Sequence, residues 1–283
     1  MKTKISVTIE DNVLKGIDAI IDNIFIRNRS QAVEFLTKSA LGEHKQAVIL
    51  AGGPEEKLRI SESEYRITAR VGSSTVIEMA VKKLRENGFR DIYIVARHNV
   101  LTKVFDVLKD GSGYNVKVSY IEEKESKGSA DSLRLLKGKI NANFLAVYGH
   151  IIFDKVNIQE LWSQHIKQGT AVATLMLTTA PNPSEKGTVK VEGSRILEFL
   201  QKPKKTEVYL VFSPIFVATP EIFNIEGGSL EYDVFPKLAE QGLLYGHTSA
   251  ERERHIHSAG DVKAAGKSKR LNLVSSNRAR SLR

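Results

Sequence analysis

Residues 45–53 read Lys-Gln-Ala-Val-Ile-Leu-Ala-Gly-Gly, and this stretch decides the fold. Ala47–Leu50 carries no polar side chain and runs straight into Ala51-Gly52-Gly53. An apolar run this short, closed by turn residues, is the signature of a strand buried on both faces, as in a parallel sheet. Two glycines at its carboxyl end allow backbone to approach a nucleotide closely.

Downstream, the pattern keeps alternating. Thr75 opens a helix with Glu78 three residues on, a capping box, and the helix lasts to about Asn87. Strands are expected at Asp91–Val95, Val116–Tyr120 and Phe144–Val147, with helices at Val100–Lys109, Ser129–Leu136 and Ile158–Gln168. Ala171–Leu177 adds a strand, and Thr188–Val191, Ile196–Leu200 and Tyr209–Val217 read as an antiparallel portion. A helix at Asp233–Gln241 and a strand at Leu243–His247 close the series, with His247–His257 taken as a degenerate strand end. Strands separated by helices describe an α/β fold around a mixed sheet covered on both faces.

Upstream, the reading changes. Lys4, Ser6 and Thr8 alternate with Ile5, Val7 and Ile9, which predicts a strand with one apolar face. Asp11 is placed as cap of a helix carrying Leu14, Ile17, Ile20 and Ile21, and Ser30 as cap of a second, from Gln31 to about Leu41, ended by Gly42. One strand and two helices cannot bury a core alone, so this segment calls for a second copy pairing strand with strand.

The 283 residues include no cysteine, which removes disulfides, thiolate nucleophiles and Cys-ligated metals. No apolar run approaches membrane length, and the first ten residues alternate, so a cytoplasmic, nucleoid-associated protein is expected. The net charge of +9 is unevenly spread: residues 1–44 are neutral, whereas residues 261–283 carry seven basic side chains against one acidic. The expected organisation is a small domain over 1–44, a large one over 45–266 and a basic flexible tail over 267–283.

The small segment resembles the ribbon–helix–helix family of DNA-binding proteins. The resemblance implies that two chains intertwine and that Lys4, Ser6 and Thr8 enter the major groove. Arg27, Arg29, Ser30 and Gln31 would serve the phosphate backbone.

The large segment resembles the sugar nucleotidyltransferases, of the glucose-1-phosphate thymidylyltransferase type, with a Rossmann-like (GT-A-like) mixed sheet. The resemblance is carried in order by Leu50-Ala51-Gly52-Gly53, Val76-Ile77-Glu78, Gly88-Phe89-Arg90-Asp91-Ile92, Lys127-Gly128-Ser129-Ala130, Val147-Tyr148-Gly149, Ala171-Val172-Ala173-Thr174, Gln201-Lys202-Pro203 and Glu231-Tyr232-Asp233-Val234-Phe235-Pro236. It implies a pocket containing Gly52, Gly53, Lys57, Arg66, Gly128, His150, Lys202 and His255. The same resemblance implies two carboxylates around magnesium, and this chain has His150 and His255 there, with His257 two residues on. Imidazole is a poor ligand for magnesium; if the three histidines met, they would suit zinc or nickel instead. Where the resemblance implies a glycine, one more residue and a phosphate-gripping arginine, Pro54-Glu55-Glu56-Lys57 follows, and Glu55 or Glu56 would put negative charge beside phosphates.

These departures lead to the expectation of a catalytically inactive domain without metal or cofactor, in a homodimeric transcriptional regulator bound to double-stranded DNA. A retained nucleotide or sugar-phosphate ligand would tune that binding. The alternatives are an active, metal-dependent sugar-1-phosphate nucleotidyltransferase whose first segment dimerises, and a nucleoid-organising or partition protein.

Overall fold

The computed structural model describes residues 4–21, 26–41, 45–125 and 127–267, with residues 35 and 38–41 described by backbone alone. The Gly42 helix stop and the tail beyond residue 267 lie outside these residues. The chain divides into two compact units, Met1–His44 and Lys45–Arg283.

In the first unit, α1 spans Asp11–Ala19 and α2 spans Arg29–Leu41. Residues 4–10 belong to no strand, which corrects the expectation for Lys4–Ile9 within a single chain. The reason is simple: a strand needs a ladder partner, and none is offered among the described residues. Ile5 and Val7 consequently stand 74% and 61% exposed. Asp11 is the first residue of α1, whose N-cap is Glu10. Helix α2 also starts earlier than expected: the Asn28 side chain accepts from the Gln31 amide at 3.0 Å, the role assigned to Ser30. Arg29 makes a bidentate pair with Asp18 of α1, at 2.7 and 2.8 Å.

Among the described residues, the second unit has thirteen strands: β1 Lys45–Ala51, β2 Arg70–Val71, β3 Ser74–Thr75, β4 Phe89–Ala96, β5 Lys117–Glu122, β6 Phe144–Tyr148, β7 Ile151–Ile152, β8 Ala173–Thr179, β9 Gly187–Glu192, β10 Arg195–Gln201, β11 Leu210–Ala218, β12 Leu244–Thr248 and β13 Arg254–His255. Nine of them form one sheet in the order β5-β4-β1-β6-β11-β8-β12-β10-β9. The β5-β4-β1-β6 half is parallel, and β11 enters antiparallel to β6 and β8.

The helices of this unit are α3 Glu55–Leu58, α4 Val76–Glu86, α5 His98–Leu108, α6 Ser129–Arg134, α7 Ile158–Gln168, α8 Phe235–Glu240 and α9, residues 259–267. The capping box at α4 forms: the Thr75 amide reaches Glu78 Oε2 at 2.7 Å, and the Glu78 amide reaches Thr75 Oγ1 at 3.3 Å. Strand β1 is central and buried on both faces. Ala47 and Ile49 point into a core with Phe89, Leu145 and Trp162, while Val48 and Leu50 point into another with Phe144, Phe216 and Phe235.

Two regions depart from the sequence reading. A wide helical turn at Leu230–Val234 precedes a shorter α8 than Asp233–Gln241 suggested. Of residues 247–257, only His247 and Thr248 are a strand end, that of β12. After β12 the chain leaves the large sheet, and β13 pairs antiparallel with β7, putting His255 opposite Ile151. This small ribbon positions the site.

Candidate active site

The glycine turn after β1 is tightly constrained. A Cβ on Gly52 would collide with the carboxylate of Glu123, and Gly53 has φ +115°, a conformation that favours glycine. Glu123 is buried and accepts from the Gly53 amide at 3.3 Å and from Ser132 Oγ at 3.0 Å.

Above this turn lies a cavity of about 380 Å³ lined by Gly52, Gly53, Lys57, Arg66, Lys127, Gly128, Tyr148 and His150, among others. Its cations are Lys57, Arg66 and Lys127. Arg66 Nε is buried and has no hydrogen-bond partner among the described residues. Burial lowers its pKa from the usual arginine range, opposed by nearby Asp261, and the guanidinium stays charged. A desolvated cation with an unused donor is built to receive an anion. Neither Glu55 nor Glu56, the residues expected to put negative charge here, lines the cavity. Glu55 is held by Tyr65 and Arg59 and by Asn99 Nδ2 at 3.0 Å.

A second cavity, of about 510 Å³, shares Tyr148 and His150 with the first. Glu185, Lys186, Gln201, Lys202, Glu231, His255 and His257 complete its polar lining. Tyr148 donates to Glu231, which also accepts from Ser129 Oγ at 2.7 Å. Burial, reinforced by that carboxylate, holds the Tyr148 phenol well above its ordinary pKa, so it remains a donor. Lys202 has φ +48°, strained for a side-chain-bearing residue, and its amide is tied to the Lys186 carbonyl at 2.9 Å.

His150, His255 and His257 meet where the cavities join. Their ring centroids lie 5.0–5.5 Å apart, and one nitrogen from each lies within 4.8 Å of the others. The Ile256 amide donates to the His150 carbonyl at 2.8 Å, locking the two segments together. Asp261 accepts from the His257 amide at 2.9 Å and the Ser258 amide at 2.8 Å, pinning the entry into α9. His255 Nε2 bonds Glu253 Oε1 at 2.8 Å. Burial acts to raise the Glu253 pKa, but hydrogen bonds from His255 and Ser213, with Lys186 nearby, outweigh it and hold the value at about 2. Burial, helped by His255, His257 and Arg66, lowers His150 to about 3, so its imidazole is neutral at neutral pH. His257 is lowered by the same burial and neighbouring positive charge.

Residues 46–246 match the family model described as nucleotidyl transferase. The chain belongs to the nucleotidyl transferase family. It is 30% identical over 196 residues to a Sulfolobus acidocaldarius protein assigned as a mannose-1-phosphate guanyltransferase, covering 68% of this chain and 54% of that protein. It is 28% identical over 212 residues to the bifunctional protein GlmU of Methanococcus maripaludis, covering 71% and 48%. It is 27% identical over 210 residues to the mannose-1-phosphate guanyltransferase of Aspergillus oryzae, covering 71% and 57%. The chain thus spans about half the length of these curated relatives. A Bacillus anthracis structure assigned as a glucose-1-phosphate thymidylyltransferase, in complex with a sucrose, superposes with a TM-score of 0.71 at 20% identity, over 79% of this chain and 94% of that one. That likeness establishes a shared nucleotidyltransferase fold.

Family membership overturns the expectation of an inactive domain. The physical errors behind it are now visible. Glu55 is turned into a local network, and the replaced metal positions hold a cluster of nitrogen donors instead of nothing.

All eight pocket residues expected from the sequence line one cavity or the other. Gly52, Gly53, Lys57, Arg66 and Gly128 line the first, Lys202 and His255 the second, and His150 both. Sequence reasoning missed Lys186, Glu253 and Glu123, which carry no motif and matter only through long-range packing. Of the DNA-reading candidates, Lys4, Ser6 and Thr8 are exposed, Arg29 is engaged by Asp18, and Gln31 Oε1 accepts from the Arg27 amide at 2.7 Å. His165 is a core residue bonded to Thr174 at 2.9 Å, and Trp162 packs edge-on against Phe89. Among the described residues no helix is long and apolar enough to cross a membrane.

Proposed function

We propose that the large unit transfers a nucleotidyl group from a nucleoside triphosphate to a sugar 1-phosphate. The observation that carries this reading is the pair of cavities joined at Tyr148 and His150, each with its own cations. In the transfer, a phosphate oxygen of the acceptor attacks the α-phosphorus. The bond from that phosphorus to its bridging oxygen breaks, and pyrophosphate leaves.

Arg66, Lys57 and Lys127 would take the triphosphate, and Lys186 and Lys202 the acceptor phosphate. Fixed cations in a partly dry site stabilise the charge that builds up in the transition state, and holding both reactants supplies the orientation. The magnesium implied by the sequence resemblance does not fit the residues present. Hard cations take carboxylate oxygens, whereas the donors clustered here are imidazole nitrogens. The test is formation of a nucleoside-diphosphate sugar and release of pyrophosphate across four triphosphates, a panel of sugar 1-phosphates and several divalent metals. Absence of product from every combination would sink the reading.

A second reading concerns the first unit. The exposed Ile5 and Val7, alternating with Lys4, Ser6 and Thr8, favour pairing with a second copy and DNA contact by the polar face. Selection of bound duplexes by the full chain tests this. Enrichment of a symmetric site, lost on changing Lys4 and Thr8 to alanine, is the expected outcome; no enrichment would refute it.

A further inference from the structure

We propose that His150, His255 and His257 form a three-nitrogen site for one transition-metal ion of the zinc, cobalt or nickel class. Four observations carry it. First, the nitrogens converge: ligand atoms of a tetrahedral site with bonds of about 2.1 Å stand about 3.4 Å apart, so a cluster within 4.8 Å closes by small ring rotations. Second, the backbone is already fixed around them, by the β7–β13 pairing, the bond from Ile256 to the His150 carbonyl and the Asp261 cap.

Third, His255 has the outer partner expected of a metal-bound imidazole. A carboxylate on one ring nitrogen sets the tautomer and raises the basicity of the other. Here Glu253 Oε1 at 2.8 Å and Lys186 Nζ at 3.3 Å both lie against Nε2, which leaves Nδ1 for a metal. Glu253 is itself held by Ser213 Oγ at 2.6 Å and Lys186 Nζ at 3.4 Å. Fourth, three protein ligands leave a coordination position open, as catalytic sites of this class do. That position would face the junction of the two cavities, where His150 lines both.

The charges around the site sharpen the choice of ion. Arg66, Lys186 and Lys202 are positive, and Glu185, Glu231, Glu253 and Asp261 negative, but the atoms that converge on the site are imidazole nitrogens and not these carboxylates. Affinity must therefore come from metal–nitrogen bonding, which zinc, cobalt and nickel supply and magnesium does not.

The test uses the full, tag-free chain, stripped with chelator and titrated with Co²⁺ while visible absorption is recorded, then with Zn²⁺ in competition. One Co²⁺ per chain is expected, with the intense bands of a low-symmetry nitrogen site, displaced by Zn²⁺ and unaffected by excess Mg²⁺. Paired changes His255→Ala and His257→Ala should weaken binding by about 100-fold or more, and Glu253→Gln by about 10-fold. His98→Ala, at an exposed site elsewhere, should leave binding unchanged. Should the double variant not fold, His257→Ala alone, at an exposed position, should still weaken binding by about 10-fold. Featureless Co²⁺ spectra, equal affinity for Mg²⁺, or binding indifferent to these histidines would overturn the proposal. The site does not depend on the transfer reading: tight Co²⁺ binding without turnover would refute only the latter, and turnover without a nitrogen-bound Co²⁺ only the former.

Discussion

The two units of this chain resolve the same problem, how to bury apolar side chains, in opposite ways. In the large unit, β1 is covered on both faces, and side chains such as Phe144, Phe216 and Phe235 are wholly enclosed. In the small unit only Ile17 and Ala32 are buried among the described apolar side chains, while Ile5, Val7, Val13 and Leu36 stay exposed. The large unit therefore carries its own core, whereas in the small one an exposed ion pair, Asp18–Arg29, adds only a little to the contact between the two helices. Apolar alternation alone specifies a face; whether that face is covered depends on how much chain surrounds it.

Four measurements test this contrast, from the largest expected effect downward. Trp162→Ala removes a ring packed against Phe89 at 5.4 Å and beneath Lys45 Nζ at 5.0 Å, and should cost about 3–5 kcal/mol in denaturant unfolding of the large unit. A loss below 1 kcal/mol would mean that this core is looser than its burial implies.

Acid comes next. His150 and His165 titrate near 3 and 4 when folded, below the ordinary histidine value of about 6.5. Their unfolded forms bind protons first, so stability is full above about pH 6.5 and falls as the pH drops towards those folded values. Each contributes about 1.4 kcal/mol per pH unit, or 2–3 kcal/mol per unit together. Glu253 adds to the loss between its ordinary carboxylate range and about pH 2. Thermal melts at pH 7, 6 and 5 should show the decline, and a flat profile would contradict the neutral, buried assignment of both histidines.

Arg66→Ala is expected to raise KM for the triphosphate tenfold or more, about 1.4 kcal/mol, with melting temperature unchanged or slightly raised. The guanidinium Nε has no partner to lose. Unaltered kinetics would remove Arg66 from the phosphate grip. Asp18→Asn is the mildest case. It breaks an exposed pair, so the melting temperature of the large unit should stay unchanged and only helical content should fall slightly, read by circular dichroism.

How much could be read from the chain follows the range of the interactions involved. The α4 start was legible because Thr75 and Glu78 satisfy each other within one turn. The start of α2 was misread by two residues because Asn28 and Ser30 are both good caps, and the Arg29–Asp18 pair, eleven residues apart, belongs with the earlier start. The order of the sheet, with β11 between β6 and β8, leaves no mark in any window of sequence. Nor does the release of β13 from that sheet to meet β7.

The sequence by itself determined the alternation of strands and helices, the glycine turn at Gly52-Gly53 and the replacement of carboxylates by histidines. Those depend on periodicity, backbone freedom and residue chemistry, which are local. Only the tertiary structure decided that Glu55 is held by Tyr65 and Asn99, that Arg66 keeps an unpaired donor, and that His150 meets His255 and His257 across more than a hundred residues. Contacts of that kind are set by which surfaces the core leaves facing one another, and no single segment contains that information.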